Sequence, residues 1–273
     1  MSFKLNPLHC QDSYKLGHPA MYPEGTEYVY SNFTPRTDKL SKIPEEFNTH
    51  LLTWLGIQAT MRELKELWDE EFFSKPLDEA LATYVARTPA FTGDANPDLS
   101  RIKALHNLGY LPIHVKALPE GSKVPMGVPV FTIINTVPGF GWFTNSLETH
   151  LSNESWKLPT NASIATAYRN ILTHFADLTG SPQEFVDWQG HDFSNRGMSG
   201  MIDAAKSGAG HLASFLGSDS VSTVDWLEYY YGAKGLFVAG SVPATEHSVM
   251  SLNIEKEVNK IKAELHENHI PAF

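Results

Sequence analysis

Hydrophobic residues recur every three or four positions over residues 46–73, and this spacing predicts an amphipathic helix that is interrupted near Gly56. Two further helices are predicted over residues 77–86 and 99–108. Residues 88–97 between them contain Pro and Gly, which indicates a loop. The first part of the chain is therefore expected to bury several helices against one core.

Strands are predicted where β-branched and aromatic residues alternate with polar ones, over residues 27–33, 113–118 and 128–134. The last two are separated by the turn-rich segment PEGSKVPMG, which is typical of a hairpin or of the edge of a small barrel. The architecture at this point is mixed, with helices and strands in one unit.

Two longer helices are predicted next, over residues 143–156 and 161–178. The second is expected to begin after Pro159 with Thr160 or Asn161 as its N-cap, and to end at Gly180.

Beyond residue 180 the predicted strands and helices alternate, as in βα units. The predicted order is a strand over 185–188, a helix after Gly197, a turn over 214–219, a helix over 224–231 and a strand over 236–242. This order is typical of part of a parallel barrel. We therefore expect an α/β chain with an α+β N-terminal domain, residues 1–158, and the first part of a (β/α) barrel domain, residues 159–273.

Composition narrows the function classes. The chain has 273 residues, 42% of them hydrophobic and 19% charged, which is ordinary for a globular protein. A net charge of −10 argues against a general nucleic-acid-binding surface. The single Cys10 excludes an internal disulfide, and no Cys/His group has zinc spacing. With no signal-peptide core and no membrane-span run, a cytoplasmic protein without membrane contact is expected.

Four short stretches contain polar groups that packing alone would not require. They are DSYK at 12–15, GHDFSNRG at 190–197, GSDS at 217–220 and SVPATEHS at 241–248. Polar, Gly-flanked turns between a strand and a helix are where α/β proteins bind ligands. Taken singly, each stretch also has an ordinary interpretation as a loop with surface side chains.

Together, in this order and spacing, these stretches resemble the nicotinamide phosphoribosyltransferase family, over residues from about 10 to 253. The segments SYKLGH, LPIHVKALPEG, VPVFTIINT and YYYG contribute to the resemblance. It implies a type II phosphoribosyltransferase fold, in which an α+β domain is attached to an irregular (β/α) barrel. It also implies a homodimer whose sites lie at the subunit interface, with nicotinamide and phosphoribosyl pyrophosphate as substrates.

The resemblance also implies roles for individual residues. Phe193 would stack on one face of the nicotinamide ring, and Tyr14 of a second subunit on the other, each contact contributing about 1 kcal/mol. The remaining substrate-binding residues that it implies are Asp12, Arg196, Asp219, Ser241 and Val242. On residue type alone, Phe193 is equally a core residue and Arg196 a member of a surface ion pair.

Asp219 would accept a hydrogen bond from the carboxamide nitrogen and repel the carboxylate of nicotinic acid, which favours the amide substrate. It is therefore also counted with the catalytic residues. Without the resemblance, Asp219 in GSDS is interpreted as the N-cap of the following helix.

His247 is the second residue with an implied catalytic role, because the matching histidine of the family is phosphorylated by ATP. A neutral imidazole nitrogen is nucleophilic near pH 7, and Glu246 could orient the ring through the other nitrogen. The histidine is expected at the C-terminal end of a barrel strand. One histidine among 12 is otherwise interpreted as structural.

The resemblance stops after Asn253, although chains of the family are nearly twice as long. In the family, the later strands hold the ribose, the pyrophosphate and magnesium. The resemblance therefore implies Mg²⁺ and ATP as cofactors. Their main binding groups are not found in this sequence, and no residue is assigned to a metal. The remaining residues instead form one helical stripe, Ile254, Val258, Ile261 and Leu265. A truncated chain, half of a split gene and an interrupted gene all remain open.

Three functions follow. The first is a nicotinamide phosphoribosyltransferase of NAD salvage that is inactive as this chain alone. The second is a non-catalytic remnant or a split-enzyme half, which binds nicotinamide or pairs with a complementary C-terminal chain, since an open barrel would leave apolar faces uncovered. The third, nicotinate phosphoribosyltransferase, is disfavoured by the charge of Asp219.

Overall fold

The structure is a computed structural model that describes residues 4–267, except for the side chains of Leu252, Glu255, Leu265, His266 and Glu267. The predicted stripe residue Leu265 therefore lies outside the described side chains. By its internal contacts the chain divides between Ala239 and Gly240, and the two units are described separately.

The first unit contains all the strands of the described chain. They are β1 (Tyr30–Phe33), β2 (Leu51–Thr53), β3 (Ile113–Ala117), β4 (Lys123–Pro125), β5 (Phe131–Asn135), β6 (His191–Asp192) and β7 (Gly217–Ser218). Its α-helices are α1 (Ile57–Trp68), α2 (Leu77–Thr92), α3 (Ser100–Leu108), α4 (Gly141–Ser146), α5 (Glu148–Thr179), α6 (Val186–Gln189), α7 (Met201–His211) and α8 (Val221–Tyr231). The second unit contains α9 (His247–Glu267).

A three-stranded antiparallel sheet is built in the order β1-β5-β3. The predicted strands at 27–33, 113–118 and 128–134 are thus confirmed over residues 30–33, 113–117 and 131–134, and the last two pair as the turn-rich segment between them indicates. That segment adds β4, which pairs with β2 in a second small sheet. Phe33 and Phe131 stack across the first sheet with ring centroids 5.2 Å apart.

The core of the first unit lies between these strands and the helices that follow them. Its fully buried side chains include Trp54, Leu64, Phe72, Leu105 and Phe143. The predicted helices over 77–86 and 99–108 are confirmed as α2 and α3, and α2 extends further, to Thr92. Each contributes its apolar stripe to this core.

The long helix predicted over 46–73 is wrong in its first part. Gly56 has φ 103°, a left-handed conformation that glycine adopts at little cost, and α1 begins immediately after it. The three residues of β2 before it pair with β4, and the Trp54 indole N–H donates to the carbonyl oxygen of Leu118 at 3.1 Å. Strand pairing at this point outweighs a helical spacing that continues only by chance.

Helix α5 runs without a break through Pro159 for 32 residues, so the predicted start of a helix at Thr160 or Asn161 is wrong. Proline costs the helix one hydrogen bond, but Pro159 is fully buried, and α5 packs against α7 and β2. Tertiary packing therefore maintains the helix. Its predicted end is confirmed, since Gly180 caps it with φ 70°.

The domain boundary expected after residue 158 falls inside α5. That division into an α+β domain and a barrel domain stays a prediction.

Helices α5, α7 and α8 pack closely because α7 presents small residues such as Ala205, Gly208 and Ala209. The same helix contains Lys206, which is 8% exposed and forms ion pairs with Glu63 of α1 and Glu154 of α5. Burial alone would lower the pKa of Lys206, but the two carboxylates raise it above its ordinary value. The lysine therefore stays charged and joins three helices.

No helix among residues 4–267 combines the length and the apolar character that a membrane crossing requires. The strand predicted over residues 236–242 is not formed. In the second unit, α9 exposes Ile254, Val258 and Ile261 of the predicted stripe.

The close contact of α7 with α5 leads to a test at Gly210. A Cβ there would lie 2.7 Å from the Leu158 carbonyl oxygen and 2.9 Å from the Asn161 Cβ, and backbone cannot move aside cheaply. We expect Gly210→Ala to lower the free energy of unfolding by about 1 to 2 kcal/mol, because overpacking outweighs the gain in helix propensity. Urea denaturation measures this.

The control for that measurement is Gly197→Ala, where an added Cβ meets nothing within 4 Å. Its free energy of unfolding should change by less than about 0.5 kcal/mol. Equal stabilities for the two variants would contradict the close contact between α5 and α7.

Candidate functional site

Two short parallel strands, β6 and β7, place the GHDFSNRG and GSDS stretches side by side. His191 pairs with Gly217 and Asp192 with Ser218. Phe193 and Asp219 follow directly, so both lie at the carboxyl ends of the strands. Parallel strands present ligand-binding residues at this edge.

The strand predicted over residues 185–188 is wrong, because a turn of 3-10 helix (Gln183–Phe185) leads into α6. Val186 is fully buried, but Phe185 and Trp188 are exposed, so the apolar run does not mark a buried strand. The backbone of α6 still contacts the residue that precedes β7, since the Leu216 N–H donates to the Asp187 carbonyl oxygen at 2.8 Å.

Close approach between the two strands and their surroundings requires glycine at two positions. A Cβ at Gly190 would lie 2.8 Å from the Phe215 ring, and one at Gly217 would lie 2.7 Å from His191 Nδ1. Both contacts are shorter than a Cβ atom tolerates. Close packing around the strands thus explains Gly190 and Gly217, whereas an added Cβ at Gly197 of the first motif meets nothing within 4 Å.

The Asp192 carboxylate joins the turn after β6 to the turn after β7. Asp192 is 9% exposed and accepts hydrogen bonds from the Ser194 hydroxyl at Oδ1 and from the Ser218 hydroxyl at Oδ2, the latter at 3.2 Å. The Ser220 N–H in turn donates to the Ser218 hydroxyl at 3.0 Å. These bonds hold the turn that follows Phe193 and the turn that contains Asp219 in one position.

Phe193 and Asp219 both project where a ligand can reach them. Phe193 is 57% exposed, so its interpretation as a core residue is wrong. Helix α8 begins at Val221 with Ser220 as its N-cap residue, so the interpretation of Asp219 as the cap is also wrong. The two residues that the resemblance singles out are therefore both exposed to solvent.

His191, which is not among the residues predicted from the sequence, contacts both of these residues. Its Nε2 lies 3.1 Å from Asp219 Oδ1, and its ring centroid lies 5.0 Å from that of Phe193. The signal was present in GHDFSNRG, because side chains two residues apart in a strand share one face of the sheet. His191 and Phe193 share that face.

Arg196 lies in the 3-10 turn Ser194–Arg196 and is exposed. Its backbone N–H donates to the Phe193 carbonyl oxygen at 3.1 Å. Within residues 4–267 its guanidinium forms no side-chain hydrogen bond or ion pair, so the surface ion pair expected of an ordinary arginine is not formed. Its donors are available to an oxygen of a ligand.

Tyr14 and Asp12 lie in and just before the 3-10 helix Ser13–Met21. Tyr14 is 62% exposed, and its ring pairs with His18 at 5.2 Å between centroids. Asp12 Oδ2 accepts a hydrogen bond from the Thr149 hydroxyl at 2.7 Å. Phe193 pairs with His191 instead, so among the described residues the rings of Tyr14 and Phe193 do not contact each other.

Lys15, interpreted from the sequence as a surface residue, is in fact buried at 3% exposure. Its Nζ donates to Asn145 Oδ1 at 3.1 Å and to Glu148 Oε2 at 2.5 Å. Asn145 Nδ2 also lies 2.8 Å from His18 Nδ1. This network anchors the segment that contains Tyr14 to α4 and α5.

Ser241, Val242 and His247 belong to the second unit. His247 is the first residue of α9 rather than the end of a strand. Glu246 Oε2 accepts hydrogen bonds from the Ser248 hydroxyl and the Val249 N–H, both at 2.6 Å, and these bonds lower the pKa of Glu246. The glutamate therefore caps the helix, and the expectation that it orients the imidazole is wrong.

Comparison with known proteins finds relatives that share one name. The chain is 49% identical over 257 residues, 94% of its length, to a nicotinamide phosphoribosyltransferase of Acinetobacter baylyi, and 31% identical over 262 residues to one of Xanthomonas campestris. This chain is a partial homologue of the nicotinamide phosphoribosyltransferases. It covers 50% and 52% of those two proteins, so it spans about half the length of the curated relatives it matches. No family model matches the chain.

A solved structure supports the expected fold of this chain. The chain is similar to human nicotinic acid phosphoribosyltransferase with a TM-score of 0.54 and 19% identity, over 88% of this chain and 40% of that one. The predicted mixed α/β phosphoribosyltransferase fold is thereby confirmed. At this identity the likeness concerns the fold alone.

The Asp192 carboxylate provides a test of the site's framework. Asp192→Ala should lower the free energy of unfolding by about 2 kcal/mol, because the buried hydroxyl groups of Ser194 and Ser218 lose their acceptor. Amide hydrogen exchange over residues 193–197 should also accelerate. Urea denaturation and exchange mass spectrometry measure the two effects.

Asp192→Asn is the matched control, since it keeps one acceptor oxygen and the same shape. Its free energy of unfolding should lie between those of the wild type and Asp192→Ala. An alanine variant as stable and as protected as the wild type would show that the carboxylate does not hold the turns together.

Proposed function

We propose that this chain provides the base-binding part of a nicotinamide phosphoribosyltransferase of NAD salvage. Such an enzyme converts nicotinamide and phosphoribosyl pyrophosphate into nicotinamide mononucleotide and pyrophosphate. The observation that carries the proposal is the 49% identity over 94% of the chain to a protein of that name. The exposed Phe193 and Asp219 at adjacent strand ends support it.

The flat ring of nicotinamide is proposed to stack on Phe193. Offset stacking on an aromatic ring contributes about 1 kcal/mol and orients the ring nitrogen that attacks the sugar. Tyr14 is proposed to cover the other face from a second subunit, with Asp12 beside it, because both are exposed and Tyr14 pairs with His18 rather than with Phe193. A homodimer follows from this arrangement.

Asp219 is proposed to accept a hydrogen bond from the carboxamide N–H₂ of the substrate. The same negative charge opposes the carboxylate of nicotinic acid, so the pocket selects the amide. The His191 imidazole at 3.1 Å holds the Asp219 carboxylate in place. Arg196, whose donors form a planar fork, is proposed to bind the carbonyl oxygen or a phosphate of the second substrate.

His247 is proposed as the residue phosphorylated by ATP, with Ser241 and Val242 as further substrate contacts. His247 is exposed, and an imidazole nitrogen is chemically able to act as a nucleophile. This role rests on the family resemblance. We also propose a cytoplasmic location, in line with NAD salvage.

Binding magnesium and phosphoribosyl pyrophosphate requires ligand groups, and, apart from Arg196, none of the residues named above is proposed for that role. No cluster of three or more His, Cys, Asp or Glu side chains suited to a metal occurs in the part of the chain that the structure describes. We propose that a complementary C-terminal chain supplies the donor site, and that the barrel is completed by it.

A non-catalytic nicotinamide-binding protein is the second candidate, because an exposed aromatic ring and a carboxylate at adjacent strand ends serve binding without catalysis as well. One experiment separates the two candidates. The chain is incubated with nicotinamide, phosphoribosyl pyrophosphate, magnesium and ATP, once alone and once together with the complementary half of a relative. Mononucleotide formed only in the mixture supports the split enzyme. Nicotinamide binding without product in either sample supports the second candidate, and turnover by the chain alone would place the donor site within these 273 residues.

Phe193→Ala tests the stacking role. We expect nicotinamide affinity to fall about fivefold to tenfold, because about 1 kcal/mol of stacking is lost. The melting temperature should change little, since the ring is 57% exposed. Calorimetric titration and thermal denaturation measure the two quantities. Phe193→Tyr, which keeps the ring, is the control, and unchanged affinity with a large stability loss in the alanine variant would remove Phe193 from the site.

Asp219→Asn tests the basis of selectivity. The amide keeps an acceptor for the carboxamide nitrogen but removes the charge, so the preference for nicotinamide over nicotinic acid should narrow by about tenfold. Competitive titration with both bases gives the ratio. A ratio equal to that of the wild type would show that another group discriminates between the bases.

A further inference from the structure

The loop between β1 and β2 contains a histidine whose two ring nitrogens both face carboxylates. His50 Nδ1 lies 2.7 Å from Asp38 Oδ2, and His50 Nε2 lies 3.0 Å from Glu45 Oε1. The proposed function uses none of these three residues. Asp38 lies 12 positions before His50, so the imidazole closes most of the loop on itself.

The two contacts fit only one protonation state of the ring. An ionised carboxylate accepts hydrogen bonds and cannot donate them. A neutral imidazole has a single N–H, so it donates to one carboxylate and turns the lone pair of its other nitrogen toward the second. An imidazolium has two N–H groups and satisfies both. The geometry therefore matches a positively charged His50.

The backbone of His50 has a conformation that is unfavourable for a residue with a side chain. Among the residues that the structure describes, His50 is the one non-glycine residue with positive φ, at 55°. Asn48 supports this turn, because its Oδ1 accepts from the His50 N–H at 3.1 Å and its Nδ2 donates to Asp38 Oδ2 at 3.2 Å. The contacts of the His50 ring thus oppose the tendency of the turn to relax.

The same loop contacts α5 through Phe47, the last residue of the 3-10 turn Glu45–Phe47. The Phe47 ring lies edge-on to the His174 ring, with centroids 5.4 Å apart, and its centroid is 6.3 Å from that of Phe175. Glu45 begins the turn that Phe47 ends. The contact between His50 and Glu45 therefore fixes the turn that holds Phe47 against α5.

We propose that His50 is a pH-sensitive latch, which fastens residues 38–50 against α5 while its imidazole is doubly protonated and loosens them when one proton is lost. The charged groups in contact with His50 are Asp38 and Glu45, and both favour the imidazolium. On α5, the titratable group that faces this loop is His174, which contacts Phe47.

The direction of the pH dependence follows from the two contacts. The hydrogen bonds with Asp38 and Glu45 raise the pKa of His50 above its ordinary value, and the hydrogen bond with His50 lowers the pKa of Asp38. The fastened loop therefore binds the proton more tightly than the open loop. Its stabilisation is complete below the ordinary histidine pKa of about 6.5 and disappears as the pH rises through the raised value.

Amide hydrogen exchange over residues 38–49 tests the latch, measured at pH 6 and pH 9 and corrected for the intrinsic effect of pH on exchange. Protection in the wild-type chain should fall at least threefold at the higher pH. His50→Asn removes the charge, and asparagine tolerates the left-handed backbone. In this variant, protection should be low and equal at both pH values.

Two neighbouring glutamates offer a matched pair of variants, in which NMR follows the titration of the His50 ring. Glu45→Gln removes the charge of one partner and should shift the titration midpoint of His50 to lower pH. Glu46→Gln removes an exposed carboxylate of the same turn that is not a partner of His50, so the midpoint should stay where it is. The signal that is missing in His50→Asn assigns the ring.

The proposal is overturned if His50 titrates at the same pH in the wild type and in Glu45→Gln. It is equally overturned if protection of residues 38–49 is unchanged between pH 6 and pH 9, or falls as much in His50→Asn as in the wild type, which would assign the effect to another group such as His174. Should His50→Asn fail to fold, the two glutamate variants still decide. Nicotinamide binding at Phe193 affects none of these outcomes.

Discussion

The buried carboxylate of Asp192 is the interaction on which the candidate site depends. Strands β6 and β7 contain only two residues each, and so short a ladder provides little stability by itself. The hydroxyl groups of Ser194 and Ser218 donate to the two oxygens of Asp192 and extend the connection beyond the strands. Phe193 and Asp219 have defined positions because the residues on either side of them are held in this way.

Small residues of α7 allow that helix to pack closely against the Asp192 carboxylate. A Cβ at Gly208 of α7 would lie 2.2 Å from Thr223 Oγ1 and 3.0 Å from Asp192 Oδ2, so the helix can approach the carboxylate only without a side chain there. Lys206 of the same helix is paired with Glu63 and Glu154, which ties α7 to α1 and α5. The hydrogen bonds of Asp192 and the tight packing of α7 thus together position the ends of β6 and β7.

The segment with Tyr14 is held by a second polar network, in which Lys15 is the central residue. Lys15 pairs with Asn145 and Glu148, while the Tyr14 ring contacts His18 and remains mostly exposed. A ring presented to solvent on a firmly anchored segment is suited to contact another molecule. This agrees with the proposal that the base is enclosed between two subunits.

The local pattern of the sequence was sufficient to predict the central residues of the strands β1, β3 and β5 and the helices α2, α3, α7 and α8. It was also sufficient to find the motifs that contain Phe193 and Asp219. Glycines with left-handed conformations, such as Gly180, mark helix ends from sequence because few other residues adopt that conformation. The family resemblance rests on the same local motifs.

Only the tertiary structure decided where longer-range contacts outweigh local preference. Pro159 continues α5 because packing on both sides maintains the helix, and residues 51–53 form a strand because β4 pairs with them. Phe185 and Trp188 are apolar yet exposed, so their spacing misled the strand prediction. The partners of Asp192, His191 and Lys15 lie between 2 and 133 residues away along the chain, and the most distant of them come together only when the chain folds.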